Sequence, residues 1–223
     1  MGILDIFSSG MDTQSAIIYL AMWIVVVLIA FSCHEFAHAF AAYKSGDITP
    51  KAHGRLTLNP ARHIDPLGML LLMAVGFGWA KPVEVNPTLF KNYKRGMVWV
   101  SIAGVLTNIV LGILGVALSV LSFYLMIHVN AVVFMYFYQF FFLFSMINFV
   151  LAIFNLLPIY PLDGFSLIST FLRHDNPFVI FMRRYGTFVL LFVIIALSIT
   201  GYYIGDLAQY IYDFFFKLFT WSW

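Results

Sequence analysis

Four stretches of this chain, about 16–42, 97–127, 131–157 and 187–205, are long and apolar enough to cross a bilayer, which takes roughly 20 residues of helix. In lipid every backbone polar group must be satisfied internally, so such stretches are helices packed on one another. Composition agrees: 62% of the 223 residues are hydrophobic and only 10% are charged, against about 25% charged in a soluble domain. The fold class expected is an all-α polytopic membrane protein. Its length suits one membrane-embedded domain, 1–223, with a core over about 16–170 and a last span and aromatic interfacial tail at 187–223. Residues 1–15 hold no Lys or Arg, so the charged start of a cleavable signal peptide is missing. The single cysteine, Cys33, excludes an internal disulfide and reads as a packing residue.

A fifth apolar stretch, 67–80, has 14 residues including Gly68, Gly76 and Gly78. It is too short to span comfortably and suits a re-entrant loop. The expected architecture is therefore a bundle of about four to six transmembrane helices, with a re-entrant loop at 67–85 that can carry a β edge. Basic residues orient it. Lys44, Lys51, Arg55, Arg62, Lys81, Lys91, Lys94, Arg95, Arg173, Arg183 and Arg184 are 11 of the 12 Lys and Arg, and all share one side if 67–80 dips in and returns. The positive-inside rule makes that side cytoplasmic and puts the N-terminus outside.

The first span contains "FSCHEFAHAF" at 31–40. His34, Glu35 and His38 form H-E-x-x-H. On a helix, residues four apart lie about 40° apart on one face, so both imidazoles can reach one ion. Glu35 stands beside it, where a carboxylate can take a proton from water. Zinc hydrolases use this pattern: two neutral His ligands, a non-ligating Glu as general base and an open position for water. The competing reading is a histidine pair packed between helices. Ionisable groups are costly in a membrane, and that favours function. His34 precedes Lys44 by ten residues, which sets it about 15 Å below the cytoplasmic surface at roughly 1.5 Å per residue, with His38 about 9 Å deep.

Zinc needs a third protein ligand. Glu84 lies in a polar loop and reads better as a solvated charge. Asp163, in "FNLLPIYPLDGF", is better placed: Pro158 and Pro161 break the preceding helix, Gly164 lets the backbone turn, and Arg173 lies ten residues beyond. Its competing reading is a helix cap. His53, His63 and Asp65 lack ligand spacing and read as loop or interface residues.

Together "HEFAH", "GRLTLNPARHIDPLG" at 54–68, "GWAKPVEVNP" at 78–87, "AGVLTN" at 103–108 and "NLLPIYPLDG" at 155–164 resemble the site-2 protease family of intramembrane zinc metalloproteases, in its compact bacterial form without a PDZ domain. The resemblance covers roughly residues 20–170. It implies His34, His38 and Asp163 as ligands of one Zn2+ per chain, Glu35 as the catalytic base, and hydrolysis of peptide bonds within transmembrane protein substrates in the lipid bilayer of a bacterial cell (inner) membrane. The active site would open toward the cytoplasm, and no nucleic-acid partner is expected. The sequence departs from the family at Val105, where A-G-P-x-x-N has proline, and at Tyr160, where asparagine often sits. Which asparagine assists the substrate carbonyl stays open, with Asn108 the first choice and Asn155 the second; each could instead bond between helices. A membrane transporter or a non-proteolytic metal-binding scaffold is the alternative function, but a transporter has no need of Glu35. A membrane protease acting on prenylated C-termini also uses H-E-x-x-H; the late aspartate and the 78–87 loop favour the site-2 type.

Overall fold

The computed structural model describes residues 10–75, 78–200 and 204–221. In chain order its helices are α1 (Thr13–Ser45), α2 (Thr49–Ala52), α3 (Pro66–Val75), α4 (Tyr93–His128), α5 (Ala131–Asn155), α6 (Asp163–Ser169), α7 (Pro177–Thr200) and α8 (Ile204–Thr220). Helices α1, α4, α5 and α7 are long and apolar enough to cross a membrane, in agreement with the all-α polytopic class.

Sequence-local signals set the helix ends. Asp12 caps α1 by accepting the Ser15 N–H at 3.0 Å, and Asn92 and Asn130 cap α4 and α5 through the N–H groups of Arg95 and Val133, both at 3.0 Å. α1 stops where Gly46 takes a left-handed φ of 114°. At 33 and 36 residues, α1 and α4 are about 50 Å long at 1.5 Å per residue. That exceeds a hydrocarbon core of about 30 Å, so they tilt or project from it.

α1, α4 and α5 pack as the central group. Small residues bring α4 and α5 close: a side chain at Gly112 would strike the Phe149 ring, and Ser145 donates to the Gly112 carbonyl at 2.9 Å. Interfaces of small residues with hydrogen bonds across them suit helices in lipid, where apolar side chains gain little by meeting each other. The expected interfacial tail forms α8, whose Ala208 and Tyr212 are buried with Val116, Val120 and Phe149. The Tyr212 hydroxyl pairs with Ser119 at 2.9 Å.

The 67–80 stretch is held at its two described ends. α3 covers its first part, and an antiparallel bridge joins Ile64 to Ala80, so both ends lie together. Gly78 sits against the Gly68 carbonyl and Leu72. Ten residues of helix reach about 15 Å, half of the hydrocarbon core. Beyond the isolated bridge, the described residues contain no strand; a glycine-rich β edge was one possibility in the sequence, and helix has taken the inward arm. Gly76 and Phe77 lie outside the described residues.

Candidate metal centre

α1 presents His34 and His38 on one face, and the N-terminus of α6 brings Asp163 to them. The His34 and His38 Nε2 atoms are 3.0 Å apart. Asp163 Oδ2 lies 3.4 Å from the first and 3.2 Å from the second. Four tetrahedral ligands at about 2.05 Å from zinc would be about 3.3 Å from each other, so the spacing fits such an ion. The chemistry of the donors fits too. Asp163 Oδ2 is buried with no hydrogen-bond partner, a costly state for a carboxylate that a cation would relieve. Among the described residues this trio is the one group of three metal-capable side chains close enough to share an ion.

Asp163 reaches the trio because α5 ends at Asn155 and the turn through Pro158 and Pro161 leads into α6. A side chain at Gly164 would collide with the Leu156 and Leu157 carbonyls, so the start of α6 packs back on the end of α5. α4 supplies the rear wall. His38 donates its Nδ1–H to the Val100 carbonyl at 2.7 Å, which leaves Nε2 with its lone pair toward the trio. One turn along α4, a Cβ on Gly104 would stand 2.5 Å from both imidazoles. One turn further, Asn108 is wholly buried. Its amide lies near His34, and both amide atoms, like His34 Nδ1, are buried without a hydrogen-bond partner.

Glu35 is buried beside the two histidines. Its Oε2 accepts the backbone N–H of Val83 at 3.0 Å, from the chain that follows the re-entrant segment. Asn155 is half-buried at the end of α5 and donates its amide to the Leu151 carbonyl of its own helix at 2.9 Å, with no hydrogen bond to the trio. Glu84 pairs with His53 at 3.1 Å on the exposed surface, apart from the trio. His63 lies apart from the trio and donates its Nε2–H to the Thr57 carbonyl at 2.8 Å. Its burial, with the Arg55 charge adding to it, holds the imidazole below the ordinary value of 6.5 against the opposing pull of Thr57. Asp65 accepts the Gly68 N–H at the start of α3, and Cys33 is a free, half-buried thiol.

The sequence did not point to the Val83 N–H, the Val100 carbonyl or the role of Gly104. The first two are backbone groups that any residue carries. Gly104 stood within "AGVLTN", and only the three-dimensional approach of α1 shows why it is small.

The family described as Peptidase family M50 matches residues 119–197. The chain is 44% identical over 146 residues to "Putative zinc metalloprotease YwhC" of Bacillus subtilis (strain 168), covering 66% of this chain and 67% of that one. It is 29% identical to "Putative zinc metalloprotease Rip2" of Mycobacterium tuberculosis (strain ATCC 25618 / H37Rv), over 87% of this chain and 75% of the relative. The Rip2 of Mycolicibacterium smegmatis is 26% identical over 91% of this chain and 78% of its own length. No solved structure matches. With a relative this close over two thirds of its length, and four helices apolar enough to cross a membrane, the chain belongs to Peptidase family M50, the site-2 protease family, and is a membrane-bound zinc metalloprotease.

Proposed function

We propose that this protein hydrolyses a peptide bond within or next to a transmembrane segment of membrane-protein substrates, with His34, His38 and Asp163 holding zinc and Glu35 serving as general base. The observation that carries the reading is the convergence of the three ligand atoms, all within 4.8 Å of one another, beside Glu35 on a helix apolar enough to span a membrane.

Zinc in that position would acidify water and polarise the scissile carbonyl. The chain's own groups do the rest. Glu35 takes the proton from the attacking water and later delivers it to the leaving amine. The Val83 N–H holds the carboxylate in place through a charge-assisted hydrogen bond. The Val100 carbonyl keeps His38 in the tautomer that presents Nε2. Asn108, beside His34, is the better placed of the two asparagines to act at the centre, either on the substrate carbonyl or by accepting the His34 Nδ1–H. A helical substrate hides its carbonyls in its own hydrogen bonds, so it unwinds locally before cleavage. Water reaches the site from the side that carries the basic residues. That side is the cytoplasmic one of a bacterial cell membrane, with the N-terminus outside.

The test is zinc analysis of the purified protein together with cleavage of a panel of single-span substrates in proteoliposomes. Wild type should carry one zinc and cleave. Glu35→Gln should keep the zinc and lose about 10²- to 10⁴-fold in rate. Retained cleavage by Glu35→Gln would refute the base assignment, and zinc-free but active protein would refute the metal centre.

A further inference from the structure

After the re-entrant segment, residues 79–91 run as an extended strap broken by one short 3₁₀ turn, Pro87–Leu89. Both ends of the strap are fastened to the end of α1 and the chain that follows it. At the near end Lys81 donates its N–H to the His63 carbonyl at 2.7 Å. The buried Arg55 side chain donates to the carbonyls of Arg62 and Lys81. At the far end the Lys91 N–H donates to the Ser45 carbonyl in the last turn of α1 at 3.0 Å, and one side chain ties the strap nearer to Val83. Asp47 is wholly buried, and its two oxygens serve two segments: Oδ1 accepts the Thr49 N–H at 2.9 Å, and Oδ2 accepts the Asn86 N–H at 2.7 Å. Its own N–H donates to the Ala42 carbonyl in the last turns of α1 at 3.0 Å. Between the two fastenings Val83 meets Glu35.

The metal centre makes no use of Asp47, yet burying a carboxylate is costly unless its oxygens are satisfied. Here the satisfaction is divided between Thr49, at the start of α2, and a strap 39 residues away, while the Asp47 N–H holds the residue to the end of the helix that carries Glu35. Charge-assisted bonds to backbone N–H groups are short and strong, and they fix position as well as energy. We infer that Asp47 is a positioning residue for Glu35. It locks the strap to the end of α1 so that the Val83 N–H stays on the Glu35 carboxylate and aims it at the water. The inference rests on Glu35 being the general base.

Asp47→Asn tests it with almost no change of volume. The amide keeps one acceptor oxygen and turns an NH2 toward the other backbone N–H, so one of the two ties must fail. In wild type in lipid nanodiscs, residue-resolved hydrogen exchange should show slow Val83 and Asn86 amides on either side of faster Glu84 and Val85 amides. In Asp47→Asn the Val83 and Asn86 amides should speed up while α1 and α4 stay protected. kcat should fall about 10- to 100-fold, the scale of a misplaced catalytic group, with KM within about twofold and zinc content unchanged. Unchanged exchange and kcat would overturn the inference. So would a raised KM at unchanged kcat, which would place the strap on the substrate, or zinc lost in proportion to activity, which would make Asp47 merely structural. If Asp47→Asn does not fold, Arg55→Lys loosens the other fastening and is judged by the same readings. Activity retained in Glu35→Gln would refute the base assignment while leaving the exchange pattern of the strap as it was.

Discussion

The group α1–α4–α5 and the helix α7 are both apolar enough to span a membrane, but they are built differently. Each of the first three has 33% of its most apolar window buried; α7 has 17%. The three interlock through small residues and interhelical hydrogen bonds. α7 instead holds to the rest through the turn after α5, where Leu190 packs with Ile159 and Leu162, and it turns Phe188 and Phe192 outward, about 70% exposed. The difference follows from what each carries. On the proposed reading, two ligands and the base lie on α1, their rear wall is α4, and the third ligand opens α6, just after the turn that ends α5. A metal centre tolerates little play in its ligands. α7 carries none of it and needs only to stay attached.

Four measurements sharpen or break that contrast. Asp163→Ala has the largest expected effect: zinc no longer copurifies and cleavage drops to background. A zinc-loaded Asp163→Ala protein would show that α6 is not part of the centre. Gly104→Val comes next. Its side chain would intrude between the imidazoles, lowering zinc affinity by about 10- to 100-fold, the scale seen when groups supporting metal ligands are changed. Wild-type affinity in a competition titration would mean the rear wall has more slack than its geometry shows. Leu190→Ala in α7 should lower stability by about 2 kcal/mol and leave zinc content and the activity of folded protein unchanged. If it strips zinc, α7 is no mere attachment.

The smallest effect concerns His63, beneath the strap. The folded protein holds its pKa below 6.5, so between the two values the unfolded chain binds more protons and stability rises with pH. The contribution is complete above the unfolded value and is lost as pH falls from 6.5 toward the folded one. Thermal melts from pH 7.5 down to 5.5 should show a small decline in Tm, reduced in His63→Gln. An equal decline in both would assign it to other groups.

Much of this was legible in the sequence because it is local or purely chemical. H-E-x-x-H puts His34 and His38 on one helix face with Glu35 beside them, and the Pro-flanked Asp163, which the structure brings to the two histidines, could be picked out by its turn. That the two ends of 67–80 lie together agrees with what its length and the basic residues on both flanks suggested. Boundaries were harder. The last span, expected at 187–205, begins at Pro177, because a helix starts where proline and backbone permit rather than where hydropathy rises. What could not be read is the contact between distant segments: Val83 on Glu35, Gly104 against the histidines, Tyr212 on Ser119. Each depends on how the helices lie together, and a backbone N–H or carbonyl leaves no trace in residue identity.

The hydrogen bond from His38 to the Val100 carbonyl has a consequence for how the protein can vary. Because the acceptor is main chain, replacing the valine with another helix-compatible residue leaves the oxygen where it is. The ring's orientation is thereby insulated from drift at position 100. The nearby glycine enjoys no such protection, so within two turns of one helix a position limited only by its packing on Ala42 and Phe90 sits close to one where any side chain would strike the imidazoles.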